Sequence, residues 1–424
     1  MSSYRKTTIN VESPEESGLI KSLEARHDAE AERLKRFLKM PDLSRTQGNP
    51  INELVERLVA LPRFESFDVV KVPEIVEADK SFDLFNFPPD HPARKSSDTY
   101  FLDDPAPILS ADPRSAGGFG EASRHSERGR DWGGAGNHIL RTHTTIMWYY
   151  WLQQSEVKSK IEKGEGVGAL CHGKVYRKDE IDRNHMNVFH QMDGWYLCRK
   201  EDKVITLDDL KEVLTEIAQA VFGQDIEYRF NVDEFPYTDP SCEMEIKVGD
   251  PSTGSGQAHW IEVLGSGVVR SSVLNNLGVD PNIYNGWAFG FGLERLAIIS
   301  MKLPDIRLLW SEDERVKKQL KLGNKFKEVS KFPPIIRDIS FIVDKSFVPN
   351  NYFDVIRDIG GDLVEEVALL DKYENSEKFG QDKSSYTYRI TYRSNERTLT
   401  TEEIDPIQKR IYDETAQQFG AELR

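Results

Sequence analysis

Two arginines stand where phosphate chemistry could be done. Arg177 lies in "GKVYRKDEIDRNHMNVFHQMDGW", where two strand-like halves flank a charged loop. Arg295 follows the glycines of "GWAFGFGLERLAIIS". A guanidinium is planar, permanently charged and able to bind phosphate oxygens in pairs. The glycines themselves do not form a familiar phosphate loop. A Walker loop needs Lys and Ser or Thr after its second glycine, whereas Gly292 is followed by Leu293, Glu294 and Arg295. A dinucleotide fingerprint needs a third glycine at the helix start, inside a βαβ unit. Two readings remain. In one the strand packs closely on its helix, with Arg295 in a salt bridge; in the other the glycines admit a ligand while Arg295 neutralises phosphate.

Further candidates surround the arginines. Asp179 and His185 lie in the charged loop, and Phe189 opens the second strand, either as core or as a face on which a base stacks. His185 and His190 are five apart, with Cys171 and His172 upstream. No Cys-x-x-Cys accompanies them, so no zinc site is expected. "LRTHTT" puts Arg141, Thr142, His143 and Thr145 at a helix start, a polar run that can bind a small zwitterion. Phe235 and Tyr237, on either side of Pro236, are packing residues or the edge-on walls of a pocket for an aromatic side chain.

These residues need elements to hold them. Leu19, Leu23, Leu34 and Leu38 predict one helix over 19–40, stopped by Pro41. "NPINELVERLVALPRF" predicts a second amphipathic helix, "FDVVKVPEIVEA" a strand, and "THTTIMWYYWLQQSEVKSKIEKG" another helix. Ser115–Asn137, rich in Gly, Ser and charge, reads as a long loop. Strand-like segments then follow with one helix, "TLDDLKEVLTEIAQAVFG", among them. Sequential strands with so few helices predict an antiparallel sheet in an α+β domain. Near residue 330 the pattern restarts as βαββα with a possible terminal strand, the order of a ferredoxin-like module. Thr400 with Glu403 predicts a capping box for its last helix. The expected division is an extension at 1–49, a main domain at 50–325 and a smaller one at 326–424.

Bulk properties narrow the class. The chain has 424 residues, 38% hydrophobic and 30% charged, which fits a folded protein of two or three domains. No apolar run approaches the roughly 20 residues that span a bilayer. The polar, acidic start lacks the marks of a secretory signal or transit peptide. A bacterial cytoplasmic location is therefore expected, with the mitochondrial matrix as the alternative. Three cysteines give no disulfide framework. The net charge of −15 argues against a protein that coats nucleic acid, though not against one that grips an RNA through a local face.

An arginine in a strand–loop–strand hairpin, followed later by "GFGLER" before a helix, resembles motifs 2 and 3 of class II aminoacyl-tRNA synthetases. "FNFPPDHPARKSSDTYF", "LRTHTT", "VYRKDEIDRNHMNVFHQMDG", "FPYTDPSCEMEI", "WIEVLGSGVV" and "WAFGFGLERLA" resemble, in that order, the phenylalanyl-tRNA synthetase family. "PPIIRDISFIV", "IGGDLVEEVALLDKY" and "YRITYRSNERTLT" resemble its ferredoxin-like anticodon-binding domain, fused as in the organellar single-chain type. The resemblance runs from about Phe67 to the end.

The resemblance implies ATP-dependent activation of phenylalanine and transfer to tRNA(Phe), by a self-sufficient chain expected to be a monomer without an editing domain. It implies that Arg177 holds the α-phosphate and that Arg295 serves the γ-phosphate region beside the adenine. Phe189 would stack on the base, Asp179 and His185 would contact ATP, and Glu262 would help hold Mg2+. His143, Thr145, Gln191 and Asp193 would read the amino acid's polar end. Phe235, Tyr237, Ala288 and Gly290 would line the side-chain pocket, and Gly292 would let strand approach helix. Thr145 and Asp193 stand where the family suggests Ser and Glu, Tyr237 where it suggests Phe, and Cys242 where it suggests Phe. Residues 331–424 carry 13 basic and 18 acidic side chains, so tRNA contact needs a local face. Arg389, Arg393 and Arg397 with Tyr388 and Tyr392 are the expected one.

Overall fold

The computed structural model describes residues 8–102, 137–180, 182–249, 258–328, 332–394 and 396–424. Eight strands form the larger sheet: β1 (Thr8–Asn10), β2 (Asp68–Lys71), β3 (Val167–Tyr176), β4 (Val188–Arg199), β5 (Tyr228–Phe235), β6 (Thr238–Gly249), β7 (Ala258–Val269) and β8 (Tyr284–Gly292). Their order is β1-β2-β3-β4-β8-β7-β6-β5. From β3 across to β5 all neighbours are antiparallel, as expected. At the other edge β1 pairs parallel with β2, and β2 parallel with β3. Those two strands span three and four residues, too few to show a period in sequence.

Helices cover one face of this sheet. They are preceded in the chain by α1 (Pro14–Glu24) and α2 (Ala29–Lys39), and comprise α3 (Pro50–Val59), α4 (Leu207–Phe222) and α5 (Leu293–Met301). Asn49 accepts the Ile51 N–H at 2.9 Å ahead of Pro50, and Thr206 with Asp209 forms a capping box before α4. Caps of this kind contribute about 1 kcal/mol each. Leu54, Leu58, Leu210, Leu214, Ile217 and Leu296 close a core against Met244, Ile246, Phe289 and Phe291. On the opposite face Phe82, Phe85, Trp148 and Trp151 pack with Trp195 and Ala288. The two-residue period of β8 thus sends Trp287, Phe289 and Phe291 to the helices, leaving Ala288 and Gly290 for the other side.

Three expectations change here. The single helix over 19–40 is two. Asp28 accepts the Ala31 N–H at 2.9 Å and pairs with Arg26 at 3.0 Å, and such a local cap competes with helix continuation. Leu19, Leu23, Leu34 and Phe37 bury against Tyr100, Tyr176 and Val188, so this segment packs onto the core. Lys174, buried on β3, donates to the carbonyls of Leu38 and Met40 at 2.9 Å each and so completes the end of α2. The strand "FDVVKVPEIVEA" divides around Pro73 into β2 and Ile75–Glu77, which joins Phe101–Leu102 and His138–Leu140 in a small sheet. The helix expected from Thr142 becomes a short turn at Thr144–Ile146 and helices at Met147–Leu152 and Ser155–Glu162. Residues 115–136 of the long loop and 329–331 at the expected boundary lie outside the described residues.

The carboxy-terminal unit runs β9 (Ile335–Asp344), α6 (Pro349–Gly360), β10 (Val364–Tyr373), β11 (Lys383–Tyr392), α7 (Thr401–Phe419) and β12 (Glu422–Leu423). Its sheet is antiparallel in the order β10-β11-β9-β12. The βαββα order with a terminal strand is the one read from sequence. Helix α6 lies against the charged loop after Arg177. Arg357 donates to the carbonyls of Asp179 at 3.2 Å and Glu180 at 2.7 Å, and Asp354 accepts from Tyr100 at 2.9 Å and Asn187 at 3.3 Å.

Candidate active site

Strands β4 and β8 bring the polar residues together through register. Gly292 pairs with Gln191, Gly290 with Asp193 and Ala288 with Trp195. A Cβ at Gly290 would collide with the Asp193 carboxylate, which therefore crosses its neighbour strand only because position 290 is glycine. Gly290 thus makes room for the Asp193 carboxylate. Gly292 needs no such freedom: a Cβ there would meet nothing within 4 Å, so the close packing expected of it is absent.

Asp193 is 4% exposed and accepts hydrogen bonds from the hydroxyls of Thr144 and, at 3.3 Å, Thr145. Burial pushes its carboxyl up to about 7, against the pull of those hydroxyls and of Arg177 and Arg141. His143 sits beside it among Phe82, Phe85 and Phe87, stacked on Phe87 at 5.6 Å. Burial, then Arg177, lowers the His143 imidazole to about 3, so it is neutral; a weak contact with the Ser81 backbone opposes this. Neither His143 ring nitrogen, nor Gln191 Oε1, nor Thr142 Oγ1 has a hydrogen-bond partner of ordinary geometry. Buried polar atoms left unpaired are uncommon in native folds and mark groups that a ligand can satisfy.

An aromatic wall adjoins this polar cluster. Phe235 and Tyr237 stack at 5.9 Å, and Tyr237 meets Trp148 and Phe85 edge-on at 6.1 and 6.5 Å. Gly265 gives Phe235 its place, since a Cβ there would lie 2.8 Å from the ring. Burial raises the Tyr237 hydroxyl's pKa, with Asp193 adding to the shift and Arg177 opposing it. The hydroxyl therefore senses the polar end of the site.

The phosphate candidates form a second cluster. Arg177 donates to the Thr142 carbonyl at 2.9 Å and lies over the Phe189 ring at 5.3 Å. One face of Phe189 is thus covered by Arg177. His185 pairs with Asp182 at 2.8 Å; that contact raises its pKa, Asp179 adds to it and Arg295 opposes it. Arg295 donates to the Glu262 carbonyl at 3.1 Å, with the Glu262 carboxylate at 3.9 Å. Burial raises the Glu262 carboxyl, Arg295 lowers it, and Glu243, Asp233 and Glu245 raise it further. Sequence reasoning passed over Thr144, Asp182, Trp148, Phe85 and Phe87. The first two adjoin residues already singled out, and both phenylalanines stand in "FNFPPDHPARKSSDTYF".

The expected tRNA face is corrected. Tyr388 and Tyr392 are 1% and 0% exposed and belong to the core of the carboxy-terminal unit. Alternation puts Arg389 on the opposite face of β11, so aromatics and that arginine cannot share a surface. Arg389 pairs with Asp338 at 2.8 Å, Arg393 with Glu365 at 2.9 Å and Arg397 with Glu403 at 2.6 Å.

A sheet with an arginine-bearing hairpin, a glycine-lined strand leading to a second arginine, and a ferredoxin-like unit behind it define a class II aminoacyl-tRNA synthetase. Residues 36–320 match the class II core domain of tRNA synthetases (F), and 330–424 match the ferredoxin-fold anticodon binding domain. The match opens at residue 36, well before Phe67, where the sequence resemblance begins. The chain is 36% identical to the chloroplastic/mitochondrial phenylalanine–tRNA ligase of Arabidopsis thaliana, over 85% of this chain and 73% of that one. It is 33% identical to the mitochondrial phenylalanine–tRNA ligase of Mus musculus, over 86% and 76%. With the mitochondrial enzyme of Saccharomyces cerevisiae it shares 30% identity, over 82% and 81%. This chain belongs to the phenylalanine–tRNA ligase family. The expected bacterial cytoplasmic location finds no support among these relatives, whose names are organellar.

Proposed function

We propose that the chain couples phenylalanine to its tRNA in two steps. The phenylalanine carboxylate attacks the α-phosphate of ATP, giving phenylalanyl-adenylate and pyrophosphate. The 2′-hydroxyl of the tRNA's terminal adenosine then takes the acyl group and releases AMP. The observation that carries this reading is the Asp193 carboxylate, buried between two threonine hydroxyls and unpaired polar atoms, beside an aromatic wall. A buried anion with neutral donors around it suits an α-ammonium, and the wall suits a phenyl ring.

A carboxylate nucleophile needs no general base, so the work is positioning and charge neutralisation. In this reading Asp193, Gln191, His143 and Thr145 hold the amino acid's polar end, and Phe235, Tyr237 and Ala288 its ring. Arg177 faces the α-phosphate, and Phe189 and Arg295 bound the base, with Asp179 and His185 nearby. Glu262 lies opposite Glu245 in the β6–β7 register. Such carboxylates are hard oxygen donors that suit Mg2+, which supplies further charge neutralisation at the phosphates when ATP is bound.

Monomeric action and an organellar location are part of the proposal; the relatives' organellar names support the location, and the presence of core and anticodon-binding domain on one chain supports the monomer. Contact of Arg389, Arg393 or Arg397 with tRNA would require exchanging their present carboxylate partners for phosphate. Phenylalanine-dependent ATP–pyrophosphate exchange tests the central claim: exchange that needs phenylalanine supports it, and its absence with intact ATP binding overturns it.

A further inference from the structure

A buried chain of contacts joins the two nucleotide motifs at residues given no role above. Glu294 precedes Arg295 on α5, and His190 sits between Phe189 and Gln191 on β4. His190 is fully buried and Glu294 is nearly so. Both Glu294 oxygens accept the His190 backbone N–H at 2.8 Å, and Oε1 lies 2.6 Å from the ring's Nδ1. Among the described residues, every hydrogen bond to this carboxylate comes from His190.

On the far side of the ring, the Leu43 backbone N–H points at Nε2 at 2.9 Å. A backbone N–H only donates, so Nε2 accepts and Nδ1 carries the proton that Glu294 receives. The Asp42 carboxylate, 3.4 Å from Nε2, is engaged by the Ser44 N–H at 3.0 Å and Arg45 at 3.3 Å. A buried carboxylate without a cation loses more hydration than apolar packing there would. What it adds is direction, because three hydrogen bonds fix rotation and register where van der Waals contact does not.

We propose that Glu294 and His190 are positioning residues for the nucleotide site. Together they hold the strand bearing Phe189 and Gln191 in register with the helix bearing Arg295, and Leu43 fixes the ring from behind. The assignment rests on the reading of Phe189 and Arg295 as the two sides of the base site. Displacement of about 1 Å at such a site is enough to reduce a rate by about 10²-fold.

The test uses the full chain, with ATP binding read by calorimetry and both Michaelis constants read from ATP–pyrophosphate exchange. Glu294→Gln keeps size but puts an amide NH2 where Oε2 accepts the His190 N–H, so that donor faces donor. The expected result is a Kd and KM for ATP raised about tenfold or more, because both sides of the base site move, with KM for phenylalanine, reached through Gln191 on the same strand, raised several-fold less and Tm little changed. The apolar pair His190→Phe/Glu294→Leu is expected to fold yet keep the weakened ATP binding. Recovery of ATP affinity in that double variant, or equal shifts in the ATP and phenylalanine constants, would show a purely structural role and overturn the assignment. Should the wild type lack phenylalanine-dependent exchange, the proposed function fails while the calorimetry still decides this point.

Discussion

Strands β4 and β11 are both interior to their sheets and obey the same two-residue alternation, yet they use it in opposite ways. On β4, Gln191 and Asp193 face the covered side, where Gly290 on the neighbouring strand leaves room for the Asp193 carboxylate. On β11, Tyr386, Tyr388, Ile390 and Tyr392 fill the core, and Arg389 faces outward to an aspartate on the next strand. The aspartate on β4 is buried, and that burial raises its carboxyl to about 7. The arginine on β11 is half-exposed and already neutralised. Polarity marks a site only when the fold covers it.

The comparison predicts the largest effect where an aromatic side chain is removed from β11. Tyr388→Ala should cost about 3–5 kcal/mol of stability, as large-to-small core changes do, read by denaturant unfolding. Unchanged stability with weakened tRNA binding would instead restore Tyr388 as a stacking residue. On β4, Asp193→Asn should lower kcat/KM for phenylalanine by about 30- to 1,000-fold, the 2–4 kcal/mol of one partner lost from a buried charged hydrogen bond. ATP binding measured alone should be little affected.

A pH profile sharpens the contrast next. Burial raises the Asp193 carboxyl to about 7, so below that pH it is mostly neutral and above it mostly an anion. Only the anion holds an ammonium well. Hence kcat/KM for phenylalanine should rise about tenfold per unit as pH climbs toward 7, then level off. A flat profile between pH 5.5 and 7 would remove the buried-anion argument.

Smaller effects follow from groups at the margins. The Tyr237 hydroxyl senses Asp193 and Arg177, not the far end of the aromatic slot. Tyr237→Phe should change the phenylalanine-to-tyrosine preference by less than about threefold, against the ~10² by which an apolar slot rejects an added hydroxyl. A larger change would place the hydroxyl inside the slot. Arg389→Ala should be the mildest, since exposed ion pairs contribute only about 0.2–1 kcal/mol. A tRNA KM that rises strongly in this variant would give β11 a binding role after all.

Much of this was legible in sequence because it is local. The capping box Thr400–Glu403, Pro50 at a helix start and the βαββα order all depend on neighbours within a few positions. The motif blocks placed Arg177, Phe189, Asp193 and Arg295 in their clusters. The break at Asp28 was missed because a strong local cap lay inside an acceptable helical period. That the Asp193 carboxylate crosses Gly290 was not legible, because only the β4–β8 register shows which side chain lies above that glycine. Tyr388 and Arg389 were put on one face although adjacent strand residues point to opposite sides.

The clasp of α6 on the loop after Arg177 has a consequence in time. Arg357 and its acceptor Asp179 are 178 residues apart in the chain. At a synthesis rate of about 5–20 residues per second, the loop emerges roughly 10–35 s before the helix that will hold it. During that interval on the ribosome the loop after Arg177 exists without its support, and a later-made helix completes an earlier-made part of the site.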